Sequence, residues 1–305
     1  MDGFFQDKKS SASLSIISNA VLIAIKLAAG FLTGSVAIIS EAVHSFLDLM
    51  AAMMAWGAVQ VSDSPPDYEH PFGHGKAENI SALFEAILII VGGIFILRES
   101  ILGIIEGRQL PSLHAGVAVM LFSTIINFLI SRHLFKIGKK SGSEALTADA
   151  WHLRTDVYTS MGILLALLTI EAGRLINPAW DLSFVDSGVA GLVSLMIIKT
   201  GLTLGWDSMK GLVDHSLPPE EIKLIVEHIQ DSYPAILGFR RLRTRRSGPY
   251  RQVLVDILVD EHLSVGEAHE LGVRLALSIR SHFPQTDVTF HLEPVKPAKT
   301  PAETT

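Results

Sequence analysis

The sequence predicts a membrane-embedded bundle of six helices followed by a small α+β domain in water, and three observations carry that prediction. Of the 305 residues 49 % are apolar, only 18 % are charged, and six apolar stretches are long enough to cross a bilayer. An ordinary soluble chain carries about 25 % charged residues. A net charge of −6 on so apolar a chain excludes disorder over most of its length. Nucleic acid is excluded as a partner, because a pI near 6.0 supplies no positive field to attract phosphates. The absence of cysteine excludes disulfides and thiolate chemistry, so any site for a borderline-soft metal must use histidine and carboxylate.

A spanning helix needs about 20 predominantly apolar residues. Read with that ruler, the spans fall at roughly 13–33, 36–61, 79–106, 113–135, 145–172 and 184–206. The short N-terminal segment 1–12 has mixed charge, and no small-residue cleavage site follows the first span, which is therefore read as retained. The six-helix domain runs over 13–210. Beyond Trp206 the pattern changes to a charged helix from Pro218 to Tyr233, strands at about 236–244 and 251–259, a helix at roughly 264–282 and a strand at 286–292. The run VLVDILV at 253–259 is too apolar for a hairpin in water and suits a sheet covered by helices on one face. This α-β-β-α-β order, ferredoxin- or metallochaperone-like, occupies 211–294, and the Pro/Thr/Lys-rich tail 295–305 is expected to be disordered. Basic residues concentrate on the side that holds both termini, which the positive-inside rule places in the cytoplasm.

Ionisable groups inside a bilayer cost several kcal/mol, so they point to function. The second span offers His44 and Asp48 at i and i+4, and the fifth repeats that spacing at His152 and Asp156. Two imidazoles and two carboxylates brought to one point suit tetrahedral Zn²⁺ better than Mg²⁺ or Ca²⁺, which favour oxygen-only shells. The alternative is two separate His–Asp pairs that stabilise helix packing. A second cluster, Asp67, His70 and His74, lies between the second and third spans, where Pro71 and Gly73 argue for a loop that wraps one ion rather than a helix. Lys26, Glu41, Glu85 and Asp149 are also intramembrane or nearly so and receive no role from the sequence.

Taken together, the paired His-x-x-x-Asp motifs, the loop HPFGHGKAE and a domain beginning after LVDHSLP resemble the cation diffusion facilitator family over about 10–293. The resemblance implies a homodimeric metal-ion/proton antiporter of the zinc-transporting type, an integral protein of the bacterial inner (plasma) membrane that exports divalent metal from the cytoplasm. It places the transport site on His44, Asp48, His152 and Asp156, a two-His, two-Asp set associated in the family with zinc, and a loop site on Asp67, His70 and His74. It places cytoplasmic-domain metal on Asp256, His269, His291 and Glu293. There Arg240 stands where a well-studied branch has histidine, and Asp256 and Glu293 also depart from that branch. Lys76 and Asp214 match an inter-subunit salt bridge. Zinc would be substrate and regulatory ligand, protons the counter-ion, and no organic cofactor is implied.

The same transporter with Fe²⁺, Cd²⁺ or Mn²⁺ as main substrate is the nearest alternative. A membrane-embedded zinc hydrolase is a remote one, because four protein ligands close the coordination position that water activation needs and no His-Glu-x-x-His occurs.

Overall fold

A computed structural model describes residues 7–33, 36–106, 117–176, 183–232 and 234–295; for some helical residues, His44 and Glu41 among them, only the backbone is described. The chain divides into two compact units, Met1–Met209 and Lys210–Thr305.

The N-terminal unit holds six long helices: α1 (Lys8–Thr33), α2 (Val36–Ser62), α3 (Lys76–Glu106), α4 (Val117–Ser141), α5 (Glu144–Ile176) and α6 (Ser183–Leu212). Among the described residues, the segments Lys8–Ala29, Lys76–Ile105 and Ser187–Leu212 are long and apolar enough by themselves to cross a membrane. Helix α5 is interrupted as an apolar run by Glu144, Asp149, Arg154 and Asp156, the price of carrying a polar site. The start of the fourth expected span, 113–116, lies outside the described residues. Outward-facing side chains such as Phe95 and Leu192 are 62 % and 67 % exposed, the surface that lipid tails cover in a transmembrane bundle. Inside, small residues let backbones approach: a Cβ at Gly201 of α6 would stand 2.7 Å from Ile90 Cγ1 and 3.1 Å from the Ala86 carbonyl of α3.

Buried polar contacts tie the helix ends together. Lys8 Nζ of α1 lies 2.5 Å from Asp63 Oδ1, just beyond α2, and 3.1 Å from Glu78 Oε1 of α3. Ser143, at the start of α5, donates to the other Glu78 oxygen, and Asn79 Nδ2 donates to Glu144 Oε2 at 2.6 Å.

The C-terminal unit contains α7 (Pro219–Gln230), β1 (Gly238–Ser247), β2 (Tyr250–Asp260), α8 (Val265–His282) and β3 (Thr286–Val295). The sheet order is β1-β2-β3, with β1 antiparallel and β3 parallel to the central β2. Alternation along β2 sends Val253, Val255 and Ile257 into a core with Ile225 and Ile229 of α7 and Leu275 and Ile279 of α8. One face of the sheet is thus covered by helices, and Asp256, between Val255 and Ile257, belongs to the other. Helix α8 starts at a complete capping box, with Ser264 and Glu267 each satisfying the other's backbone N–H. Strand β1 runs three residues beyond the expected Thr244, because Arg245 and Arg246, too polar to read as strand, find acids at Asp214 and Glu221. The two-residue Gly248-Pro249 turn then closes the hairpin, with Gly248 at φ 55°.

Candidate metal centre

Helix α5 places His152 and Asp156 one turn apart, so both project from one face toward α2. From α2, Asp48 Oδ1 reaches His152 Nε2 at 3.1 Å. One ligand atom from each of Asp48, His152 and Asp156 falls within 4.8 Å of the others. Asp48 is only 5 % exposed. Two ligands about 2.0–2.1 Å from a tetrahedral zinc lie roughly 3.3 Å from each other, so the observed 3.1 Å needs little adjustment to admit the ion. The donor set, one imidazole and two carboxylates, fits a divalent metal of borderline softness. His44, one turn before Asp48 on α2, has a side chain that lies outside the described residues.

The surroundings of the site are acidic. Glu85 of α3 and Asp149 of α5 are 0 % and 1 % exposed, and Glu85 lies within electrostatic reach of His152. Neither Glu85 oxygen has a hydrogen-bond partner among the described residues, nor does His152 Nδ1. The sequence flagged both acids as intramembrane; Asp149 lies three residues before His152 on α5, whereas the packing of α3 on α5 brings Glu85 to the histidine.

Asp67, His70 and His74 also converge. Pro71 and Gly73 break the helix as expected: Gly73 sits at φ 80° and its N–H donates to the His70 carbonyl at 2.9 Å. Asp67 Oδ1 accepts the His70 N–H at 2.6 Å, its two carboxylate oxygens lie 3.2 and 3.3 Å from His70 Nδ1 and His74 Nε2, and the two rings are 4.4 Å apart. The His70 backbone N–H, followed by the His70 side chain and the charge of the two imidazoles, holds the Asp67 carboxyl below its usual range. Asp67 and His70 are exposed and His74 is half-buried, unlike the buried Asp48 of the bundle site.

The four residues expected to hold cytoplasmic-domain metal do not meet within the chain. His291 on β3 stands beside Asp256 on β2, and Glu293 follows two residues later on the same face. His269 lies with the helix layer, its ring 5.9 Å from Phe290, a residue packed against the core on the opposite face. Asp256 and Glu293 instead accept ion pairs from Arg241 and from Arg240 and Arg241 respectively. Lys76 opens α3 in the N-terminal unit, whereas Asp214 belongs to the C-terminal unit, where Arg245 Nη1 donates to it at 2.8 Å. The helix-end network of Lys8, Asp63, Glu78 and Ser143 had no sequence signal beyond isolated charges near span ends.

Residues 12–213 match the model of the cation efflux transmembrane domain, and residues 217–295 match that of the cation efflux protein cytoplasmic domain. The chain belongs to the cation efflux family. These proteins, the cation diffusion facilitators, are membrane transporters of metal cations and not enzymes. Similar proteins include the cation-efflux pump FieF of Pectobacterium atrosepticum, 32 % identical over 90 % of this chain and 89 % of the relative. An uncharacterized transporter of Synechocystis sp. is 32 % identical over 94 % and 91 %, and the FieF pump of Salmonella choleraesuis 30 % over 94 % and 92 %. In this cation efflux protein the Asp48–His152–Asp156 group, with Asp48 buried and the other two half-buried, lies in the part of the chain that matches the transmembrane domain.

Proposed function

We propose that the protein exports Zn²⁺ from the cytoplasm in exchange for protons, with His44, Asp48, His152 and Asp156 as the transport site. The observation that carries this reading is the convergence of Asp48, His152 and Asp156 from two helices inside the bundle, with a 3.1 Å nitrogen–oxygen spacing suited to a small tetrahedral ion.

The same contact supports proton exchange. A hydrogen bond between an imidazole nitrogen and an ionised carboxylate holds its hydrogen on the nitrogen, because the carboxylate only accepts. With both ring nitrogens protonated, His152 has no lone pair for a metal, so an ion binding at Nε2 releases one proton, and protonation from the far side expels the ion. Alternating access exposes the site first to the cytoplasm and then to the exterior. In this proposal the protein is a homodimer in the bacterial inner membrane with both termini cytoplasmic, and Lys76 of one subunit pairs with Asp214 of the other. The loop group Asp67, His70 and His74 holds one ion off the transport path.

The test is flux in proteoliposomes with an imposed pH gradient and a panel of Zn²⁺, Cd²⁺, Fe²⁺ and Mn²⁺. Zinc uptake that carries protons outward and exceeds the other ions supports the reading. Flux indifferent to the gradient removes the proton, and faster iron or manganese transport removes zinc.

A further inference from the structure

The open face of the C-terminal sheet holds its own cations. Arg240 pairs across β1 and β2 with Asp256, and His291 of β3 stands on the other side of the same aspartate. In an undisturbed strand Arg241 would turn to the helix-covered face, because successive side chains alternate. It does not, since β1 contains one extra residue: Arg240 pairs with Asp256, but Arg243 pairs with Leu254, so three steps on β1 answer two on β2. Arg241 takes up the slack at φ 50°, a left-handed conformation that costs a side-chain-bearing residue about 1 kcal/mol or more. Leu242 then returns to the core. The bulge thereby points two consecutive guanidiniums at one pair of acids. Arg241 bonds both Asp256 and Glu293, and Arg240 bonds Glu293.

We propose that Arg240 and Arg241 take the place of a divalent ion at this face, so that the C-terminal unit holds Asp256 and Glu293 together without metal and does not bind zinc there. The charges balance, two guanidiniums against two carboxylates. One oxygen of each acid, Asp256 Oδ2 and Glu293 Oε1, already accepts a charge-assisted hydrogen bond from Arg241, and the second Glu293 oxygen faces the Arg240 guanidinium. The remaining donor, His291, is exposed, and His269 is on the other face. The consequence for a metal exporter is a cytoplasmic unit whose conformation does not respond to zinc at this site: a ligand biases an equilibrium only through differential binding. This inference concerns the C-terminal unit alone and stands whether the membrane site carries zinc or another ion.

The test is hydrogen exchange of the full-length protein in detergent with and without Zn²⁺, followed in peptides covering β1, β2 and β3. In the wild type zinc leaves these peptides unchanged, and Asp256→Asn/Glu293→Gln does not alter that response. In Arg240→Gln/Arg241→Gln, freed Asp256, His291 and Glu293 bind zinc, and exchange slows about tenfold at zinc ten times above the dissociation constant. Zinc-dependent slowing in the wild type that disappears in Asp256→Asn/Glu293→Gln overturns the proposal. So does an arginine-free variant that is folded, by its α7 and α8 exchange without zinc, and gains no response. If that variant does not fold, the comparison of wild type with Asp256→Asn/Glu293→Gln decides alone.

Discussion

Replacing Asp48 by asparagine separates the two roles of this side chain. The amide has the same shape, and its oxygen still accepts a hydrogen bond from His152 Nε2 at the observed 3.1 Å, so the α2–α5 contact survives. What disappears is one negative charge on a ligand buried to 5 % exposure. Loss of a partner in the second shell of a metal costs about 10–100-fold in affinity, and Asp48 stands in the first, so the expected loss is at least about 100-fold, or roughly 2.7 kcal/mol. Zinc flux in proteoliposomes at subsaturating metal should fall by that factor, while the thermal midpoint in detergent moves little. The matching substitution Asp156→Asn should act in the same direction, because Asp156 completes the same three-atom group. Asp48→Asn with zinc flux within threefold of the wild type would refute the assignment of this cluster as the transport site. A flux loss accompanied by a collapsed midpoint would show instead that the aspartate is a packing element.

Three further outcomes follow from contacts away from the metal. Lys8→Met strips Glu78, 0 % exposed, of its ammonium partner, and breaking a buried pair in this way costs about 3–5 kcal/mol; the unfolding midpoint should drop and recover in Lys8→Met/Glu78→Gln, and an unchanged midpoint would sink the pair's structural role. In the C-terminal unit, burial raises the Glu221 carboxyl but hydrogen bonds from Arg251 and the charge of Arg246 outweigh it and leave it below its ordinary value. A depressed acid stabilises fully above its unfolded-state value, near 4.5, and loses that contribution as pH falls through the folded one, so acid should loosen α7 in the wild type more than in Glu221→Gln, read by hydrogen exchange between about pH 5 and 3. Gly272→Ala in α8 would drive a methyl group into the Phe290 ring, an overpacking cost of about 1–3 kcal/mol that Phe290→Leu should relieve; equal destabilisation in both backgrounds would place the strain elsewhere.

The bundle was legible because bilayer thickness imposes a length on apolar runs, and the convergence of Asp48, His152 and Asp156 because His-x-x-x-Asp recurs at one-turn spacing in two of those runs. Repetition supplied what one pair lacks. The loop cluster was legible through Pro71 and Gly73, which forbid the helix that His-x-x-x-His otherwise suggests. Contacts between elements distant in sequence were not: Lys8, Asp63, Glu78 and Ser143 each read as an ordinary polar residue near a helix end, and only the meeting of four ends makes them one network.

The open face of the C-terminal sheet shows a different limit. The family resemblance named Asp256, His269, His291 and Glu293 together; the parallel register of β2 and β3 brings Asp256, His291 and Glu293 to one face and leaves His269 in the helix layer. Whether that face attracts a metal turns on Arg241, and its side chain changes face through a single inserted residue in GFRRLRTRRS. Period-two reading assumes an unbroken strand and assigns Arg241 to the core, where an arginine would be an error. The contradiction was itself a signal. An arginine at a predicted core position of a strand, flanked by another arginine and by a leucine that needs burial, is best resolved by a bulge between them, and a bulge at that point brings two cations to whatever acids the neighbouring strand presents. In this sheet the neighbour presents Asp256, and the same one-residue shift that rescues Leu242 for the core supplies the acid with a protein-borne cation.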